Sequence, residues 1–255
     1  MKRGASITKK GIKREKIMKK IIDDIKRMFR KMDPIFWIFI AILIVERLMS
    51  VGSIVDWLYT KLLLIPGIVI GLSLHEAGHA YASHFLGDPT PKSQGRLSIN
   101  PAAHIDPLGL VFIFVAGFGW GKPVEINPYF YKHKRRDEFI VSIAGVTINL
   151  LIAIIFGITA RLLVSNGIGN GVLFDVIIYI VYINLVLMIF NLIPCPPLDG
   201  WGIVTQIFDL GKYSWWYPVY QRGTLILMAL IIFNITSRII TPVVSVLFYL
   251  IIGSI

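Results

Sequence analysis

The sequence LLLIPGIVIGLSLHEAGHAYASHFL, at residues 62–86, decides the fold of this chain. Leu, Ile, Val, Ala and Gly dominate it, and it is long enough to cross a lipid bilayer as one helix. Near its centre lies the polar sequence His75-Glu76-Ala77-Gly78-His79. An ionisable side chain at membrane depth costs roughly 2–3 kcal/mol, so such groups are rarely found there without a partner. The segment therefore predicts a membrane-spanning helix that carries a polar site.

The two histidines are spaced so that they can share one metal ion. Residues four apart lie on the same face of a helix, with β-carbons about 5–6 Å apart, which places the rings of His75 and His79 side by side. Glu76 can then reach a metal-bound water and take its proton as the water attacks a carbonyl. A catalytic zinc needs three protein ligands and one open position for water. The spacing predicts such a site, with its third ligand elsewhere in the chain.

Asp199 is the best candidate for the third ligand. It lies in the sequence NLIPCPPLDG at residues 191–200, where three prolines should end or unwind the preceding helix. We expect Gly200 to allow a backbone conformation that other residues resist. The alternative is an ordinary aspartate in a turn at the membrane edge. Cys195 is the single cysteine, so a metal site in this chain must be built from histidine and carboxylate.

Composition places the chain among membrane proteins. Hydrophobic residues make up 55% of its 255 residues and charged residues only 16%, whereas soluble domains are nearer to a quarter charged. The net charge of +11 is concentrated in residues 1–31, which hold 13 of the 26 Lys and Arg and carry a net charge of +10. We predict that residues 1–33 form a basic amphipathic tail on an anionic membrane surface, and nucleic-acid binding by this tail is disfavoured. Residues 34–255 form the predicted transmembrane domain.

The fold class predicted from these patterns is an all-α polytopic membrane protein with about six transmembrane helices. The six apolar runs are found at residues 35–45, 57–86, 138–164, 173–193, 225–240 and 242–252. The run at residues 108–120 is too short to cross alone, and its surroundings are rich in Gly, Pro and Asn. We therefore predict a re-entrant or β-hairpin-like segment after the active-site helix.

The basic residues also predict an orientation in the membrane. Lys and Arg concentrate in the N-terminal tail and in the loop at residues 88–137. Cytoplasmic segments carry the excess of Lys and Arg, so both of these segments should lie in the cytoplasm. With six spans, the C-terminus is predicted to be cytoplasmic as well.

Two motifs together resemble a known family. The sequences at residues 75–79 and 191–200 resemble the paired signature motifs of the site-2 proteases, which are intramembrane zinc metalloproteases. Further similar stretches lie at residues 96–109, 119–124, 127–128 and 135–137. The chain looks like the compact prokaryotic branch without a PDZ domain, and the resemblance covers residues 60–245. One departure is Val146, where family members often carry proline.

The resemblance implies both the chemistry and the partners. One zinc ion per chain would be held by His75, His79 and Asp199, with Glu76 as general base. Cleavage would occur within or beside a transmembrane segment of the substrate, as in regulated intramembrane proteolysis. The implied substrates are single-span regulators such as anti-sigma factors, or remnant signal peptides, in a prokaryotic cell membrane.

Three further residues are candidates for contact with substrate. The resemblance implies that Asn149 and Asn191 hold the substrate backbone or the oxyanion, and the alternative is hydrogen bonding that only fastens the helices together. His104 lies in the Asn- and Pro-rich loop, where it could gate the site or simply order the loop. We also expect residues 94–128 to form a re-entrant flap that flanks the site and pairs with extended substrate as an added strand, which substitutions at Leu97, Ser98 and Ile99 would test. A passive membrane-edge loop is the alternative.

Two other functions compete with proteolysis. A non-proteolytic metal-binding or metal-transporting membrane protein is one, but transport should place ionisable groups in several spans. Here they concentrate at one site, and Glu76 is misplaced for pure transport. A catalytically inactive scaffold is the other, and such a protein should lack a ligand or the base.

Overall fold

The computed structural model describes residues 34–49, 52–117 and 119–253. The predicted amphipathic tail of residues 1–33 lies outside these residues. The chain divides into two compact units, one ending at Met49 and the other beginning at Ser50. In the first unit the structure describes one apolar helix, α1 (Pro34–Met49).

The described residues of the second unit form helices joined by loops and two 3-10 turns. The helices are α2 (Ile54–Phe85), α3 (Thr90–Ser93), α4 (Pro101–His104), α5 (Pro107–Ala116), α6 (Lys134–Ser165), α7 (Val172–Asn191), α8 (Asp199–Phe208), α9 (Trp216–Gln221), α10 (Gly223–Ile232) and α11 (Ile235–Ile252). The 3-10 turns are Pro128–Phe130 and Leu210–Lys212. No strand occurs among the described residues, so the predicted all-α class is confirmed.

Four helices in the described part of the chain are long and apolar enough to cross a membrane, rather than the six that the sequence predicts. They are α2, α6, α7 and α11. The 16 residues of α1 rise about 1.5 Å each and give a helix of about 24 Å. That is shorter than the hydrocarbon core of about 30 Å. Length and apolar composition together identify the chain as a membrane protein.

The C-terminal helices differ from the prediction in where they break. The sequence predicted a boundary at Pro242, but the break falls at Phe233 and Asn234, and Pro242 lies inside α11. Asn234 has a φ of 55°, in the left-handed region that asparagine tolerates better than most residues. Proline can be accommodated inside a membrane helix, so it is a weaker stop signal there than in a soluble protein. As a result α10 has only 10 residues.

Glycines on α2 let it pack closely against its two neighbours. A β-carbon added to Gly67 would lie 2.4 Å from Ile183 on α7, and one added to Gly78 would lie 3.0 Å from Ile148 on α6. Small residues at such contacts allow backbones to approach where no hydrophobic effect drives helices together. The helix that carries the His-Glu-x-x-His sequence is therefore set between α6 and α7.

The main apolar core lies between α6, α7 and α11. Its most deeply buried members are Ala153 and Ala160 on α6 and Val181 and Leu185 on α7, each with no exposed surface. Val244 of α11 completes this core. Helix α6 runs unbroken through Val146, the residue at which family members often carry proline.

Residues 105–117 and 119–124 form the two arms of a hairpin, the first largely helical and the second without regular secondary structure. Helix α5 ends at Ala116, and Gly117 follows it in the left-handed conformation with a φ of 73°. Residues 119–124 then return beside α5. The two arms touch closely, since a β-carbon on Gly119 would lie only 2.1 Å from the carbonyl oxygen of Gly109. The rings of Phe112 and Trp120 stack across them at 5.3 Å.

Of the predicted re-entrant or β-hairpin-like segment, the β-hairpin-like form is not found, because the first arm is helical. Asp106 caps the start of α5 by accepting hydrogen bonds from the backbone amides of Leu108 and Gly109. Pro107 occupies the first helical position, where the missing amide proton costs nothing. An uninterrupted apolar run follows, and it satisfies its own backbone groups only as a helix.

A buried carboxylate joins the end of α2 to the segment that follows the hairpin. Asp88, which has no exposed surface, accepts hydrogen bonds from Ser83 Oγ at 2.8 Å and from the Asn127 amide at 2.7 Å. The Thr90 amide donates to its other oxygen at 2.9 Å. Ser83 Oγ also lies 2.8 Å from the Tyr131 hydroxyl. These contacts fix the positions of Asn127 and Tyr131, which follow the returning arm by a few residues.

Candidate metal centre and active site

Three electron-rich atoms converge where α2 meets the start of α8. His75 Nε2 and His79 Nε2 lie 3.1 Å apart. Asp199 Oδ2 lies 3.2 Å from His75 Nε2 and 3.3 Å from His79 Nε2. Within the described residues, these three side chains form the group that could hold a metal ion.

The hydrogen bonds behind each ring determine which nitrogen faces the centre. His75 Nδ1 lies 2.7 Å from Asn149 Oδ1, and His79 Nδ1 lies 2.7 Å from the carbonyl oxygen of Val141. Both partners are acceptors, so each Nδ1 carries the proton and each Nε2 presents a lone pair. This is the arrangement found behind metal-binding histidines, where a second contact fixes the ring and its tautomer.

The donor set fits zinc. Asp199 Oδ2 is buried and has no hydrogen-bond partner among the described residues. Two lone pairs and a carboxylate oxygen at this separation repel one another unless a cation lies between them. Zinc binds nitrogen and oxygen at about 2.0–2.1 Å in a tetrahedron, which corresponds to ligands about 3.3–3.4 Å apart. The observed separations of 3.1–3.3 Å are close to this value.

Gly145 on α6 keeps the centre open. A β-carbon at this position would lie 2.4 Å from His79 Nε2 and 2.7 Å from His75 Nε2. Any other residue would therefore fill the space into which the donors point. Sequence reasoning did not select Gly145, although a glycine inside an apolar helix, where it costs about 1 kcal/mol relative to alanine, is a usable signal.

Asp199 is positioned by the end of one helix and the start of the next. Helix α7 ends at Asn191, and Asp199 is the first residue of α8, where the helix dipole favours a negative charge. The sequence predicted that Gly200 adopts a backbone conformation that other residues resist. This prediction is wrong, because Gly200 adopts helical conformation within α8. Glycine is required there for space, since a β-carbon would lie 2.3 Å from the carbonyl oxygen of Leu192.

Glu76 faces the returning arm of the hairpin. Its Oε2 accepts a hydrogen bond from the backbone amide of Val124 at 2.9 Å. Gly121 lies beside the other oxygen, because a β-carbon there would be 3.7 Å from Glu76 Oε1. The carboxylate is half-buried and sits on the same helix as the two histidines. A tertiary contact therefore orients the predicted base.

His104 helps to hold the returning arm of the hairpin in place. The side chain has no exposed surface, and its Nε2 lies 2.7 Å from the carbonyl oxygen of Ser98. Its own carbonyl oxygen accepts a hydrogen bond from the Lys122 amide at 2.7 Å. Arg96 donates from the same region to the carbonyl oxygens of Ala103, Lys122 and Pro123. Of the two predicted roles for His104, the geometry is that of loop ordering rather than substrate contact, because the ring is fully enclosed.

The side chain of Asn149 hydrogen-bonds to His75, a predicted metal ligand, rather than being available to substrate. Its Oδ1 is used by His75, and its Nδ2 donates to the Gly71 carbonyl oxygen at 3.2 Å and to Asn184 Oδ1 at 3.0 Å. Both amide protons are therefore occupied, so no donor remains for an oxyanion. Sequence reasoning missed Asn184, a fully buried amide in an apolar run. Asn191 Nδ2 bonds within α7, to the Leu187 carbonyl oxygen at 2.9 Å.

Comparison with known proteins identifies relatives that match well over half of the chain. The chain is 36% identical over 203 residues to the Bacillus subtilis protein named "Putative zinc metalloprotease YwhC", covering 74% of this chain and 90% of that protein. It is 31% identical over 172 residues to "Putative zinc metalloprotease Rip2" of Mycobacterium tuberculosis, covering 61% and 65% of the two chains. It is 30% identical over 183 residues to the protein of the same name in Mycolicibacterium smegmatis, covering 69% of each.

No family model and no solved structure matches the chain. The relatives carry zinc in their names, in agreement with the donor set described above. Identity of 36% across nine-tenths of a relative extends well beyond the metal-binding motif. The chain therefore belongs to the site-2 protease family of zinc metalloproteases, and its cofactor is zinc.

Proposed function

We propose that this protein is an intramembrane protease that hydrolyses peptide bonds within or beside the transmembrane segments of other membrane proteins. The proposal rests on the cluster of His75, His79 and Asp199, whose donor atoms lie 3.1–3.3 Å apart. Both histidines belong to a helix that is long and apolar enough to cross the membrane. These three side chains would hold zinc, which would supply a Lewis acid able to polarise a carbonyl and to make water easier to deprotonate.

The protein's own residues orient the ligands and move the proton. Asn149 and the Val141 carbonyl hold the histidine rings with Nε2 facing the centre. Glu76 acts as the general base that takes a proton from the attacking water. The Val124 amide uses one lone pair of Glu76 Oε2, and we propose that Oε1 accepts this proton.

The substrate must be unwound before it can be cleaved, because a helix hydrogen-bonds its own amides. Leu97, Ser98 and Ile99 lie in a non-helical stretch. The Ser98 amide donates to the Arg96 carbonyl oxygen at 2.9 Å. Within the described part of the chain, the amides of Leu97 and Ile99 have no acceptor. Leu97 lies in a bend closed by that bond. We propose that the segment straightens when substrate binds, because alternate amides of an extended strand point to the same side and can then pair with substrate backbone.

The proposed orientation puts the loop at residues 88–137 in the cytoplasm. Helix α2 then begins on the opposite face, and α6 and α7 leave the cytoplasm and return to it. Cytoplasmic N- and C-termini require α1 and α10 to cross in addition to the four long helices. We propose this topology, with the basic tail bound to anionic lipids. The proposed substrates remain single-span regulators such as anti-sigma factors, or remnant signal peptides.

Cleavage and zinc content together test the proposal. Full-length protein in liposomes should cleave single-span membrane substrates, and comparative proteomics of membranes with and without it should identify them. Glu76→Gln should keep zinc and lose cleavage, because the amide cannot take a proton. Asp199→Ala should lose zinc and cleavage together. Cleavage by Glu76→Gln at the parent rate would contradict the proposed mechanism, and full zinc occupancy in Asp199→Ala would remove Asp199 from the site.

A further inference from the structure

A groove of about 650 Å³ lies between the start of α6 and the end of α8, outside the metal centre. One wall carries four consecutive basic residues, His133, Lys134, Arg135 and Arg136. Phe139 and Ile207 supply the apolar part of the lining. Within the described chain, no acidic side chain lines this cationic groove.

The charges of the groove are held in place and are only partly offset by nearby carboxylates. Arg135 Nη2 donates to the Ile207 carbonyl oxygen at 2.6 Å, so it fastens the end of α8 to α6. Arg136 pairs with Asp137 at 2.8 Å, and Asp137 is buried and does not line the groove. Glu138 accepts a hydrogen bond from Gln206 Nε2 at 2.5 Å. The Lys134 side chain is exposed and makes no hydrogen bond or close ion pair with a described residue, although its charge interacts with that of Glu138 one turn along α6.

The groove lies where a membrane surface would meet the protein. Lys134 is the first residue of α6, a helix long and apolar enough to cross the bilayer. Apolar side chains are exposed near the groove: Ile140 is 38% and Ile143 is 36% exposed on α6, and Ile207 is 50% exposed on α8. A cationic cleft that continues into exposed apolar surface matches a molecule with an anionic head and a hydrocarbon tail.

We propose that the cationic groove binds the phosphate headgroup of an anionic phospholipid. Lys134 contacts the phosphate, Arg135 and Arg136 supply the surrounding positive potential, and Phe139 and Ile207 contact the acyl chains. Basic pockets beside membrane helices are the sites where anionic headgroups bind. This site does not depend on proteolysis, and it is distinct from the lipid binding proposed for the N-terminal tail.

The site is tested by comparing charge reversal at Lys134 with charge reversal at Lys132. Lys134→Glu and Lys132→Glu change the net charge equally, but Lys132 does not line the groove. A glutamate at position 134 also suits the dipole of α6, so the fold should be retained. Full-length protein, delipidated in neutral detergent, is titrated with phosphatidylglycerol or phosphatidylcholine. Binding is followed by native mass spectrometry and by the melting temperature.

We expect phosphatidylglycerol, but not phosphatidylcholine, to raise the melting temperature of the parent and of Lys132→Glu. Lys134→Glu should bind phosphatidylglycerol at least about tenfold more weakly, since an attractive charge becomes a repulsive one. Lipid bound by the tail is common to all variants and cancels in the comparison. Equal affinities of Lys134→Glu and Lys132→Glu, or equal binding of both lipids, would overturn the proposal. Monodisperse elution of both variants is the control for folding.

Two further arms separate a lipid from other anions. Ile207→Ser should weaken phosphatidylglycerol binding without changing the response to inorganic phosphate, because only the lipid carries acyl chains. Inorganic phosphate alone could reproduce the whole rise in melting temperature, with Ile207→Ser leaving phosphatidylglycerol binding unchanged. In that case the groove is a free-phosphate site and the lipid proposal is wrong. The lipid proposal is also wrong if an acidic peptide raises the melting temperature while phosphatidylglycerol does not bind.

Discussion

Asn149 Oδ1 lies 2.7 Å from His75 Nδ1, and this contact decides which nitrogen of the ring faces Asp199. The amide orientation of Asn149 is fixed in turn, because its Nδ2 donates to Gly71 and Asn184. Three helices thus meet at one side chain. The consequence is that a residue that touches no metal ion should still control metal affinity.

Replacing Asn149 by alanine should weaken zinc binding by about 10- to 100-fold, the usual effect of losing a group that orients a metal ligand. Competition with a zinc chelator measures this directly. Asn191→Ala is the matched control, since the amide of Asn191 bonds within α7, and its zinc affinity should stay near that of the parent. Parent-like affinity in Asn149→Ala would show that the hydrogen bond does not orient the ligand.

Gly145→Ala should abolish zinc binding, because the added methyl group would lie 2.4 Å from His79 Nε2 and would occupy the space between the donors. Bound zinc per chain, measured by mass spectrometry of metals, checks this expectation. Gly211→Ala is the control, since a β-carbon at Gly211 meets nothing within 4 Å. A Gly145→Ala protein with one zinc per chain would mean that the donors do not face this glycine.

Proline at Leu97 or Ile99 should lower kcat/KM for membrane substrates by about tenfold or more while zinc content stays at the parent level. Each substitution removes one backbone donor from the proposed substrate edge, and a lost hydrogen bond to substrate costs about 1–2 kcal/mol. Leu97→Ala and Ile99→Ala keep the amides and serve as controls. Ser98→Pro instead removes the internal bond to Arg96. If all three proline variants cleave at the parent rate, substrate does not pair with this segment.

The stability of the protein should fall in acid through Asp88. Burial opposes ionisation of this carboxyl group, but hydrogen bonds from Thr90, Asn127 and Ser83 outweigh it and hold the pKa of Asp88 below its usual value. A depressed pKa contributes stability above the unfolded-state pKa of about 3.9, and this contribution is lost as pH falls through the folded-state pKa. Asp88→Asn should therefore have a lower melting temperature at pH 7 and a flatter decline between pH 5 and pH 3. An unchanged acid profile in Asp88→Asn would show that this carboxylate is not responsible.

Reporter fusions test the proposed topology. Fusions after residue 31, within residues 125–135 and at the C-terminus should all report the cytoplasm if α1 and α10 cross the membrane. If only the four long helices cross, the first and last fusions should report the opposite face while the middle one stays cytoplasmic. An external signal from residues 125–135 would invert the orientation and contradict the cytoplasmic placement of the loop.

Local rules account for the part of the site that lies on one helix. The spacing of His75 and His79 follows from the helical repeat, and their apolar surroundings favour a metal site without knowledge of any distant residue. The prolines before Asp199 likewise predict the end of α7 at Asn191. The break before α11 was misplaced because Pro242 and Asn234 compete as stop signals, and local sequence does not rank them.

The sequence by itself determined the all-α membrane class, the helix that carries both histidines and the residue types available to bind zinc. Each of these depends on composition or on spacing within a few residues. Only the tertiary structure decided that Asn149 orients His75, that the Val124 amide holds Glu76 and that Gly145 leaves room for the metal. The partners in the first two contacts lie 74 and 48 residues apart in the chain. Such contacts are fixed by how the helices pack, which depends on glycine contacts and buried amides that a local pattern does not encode.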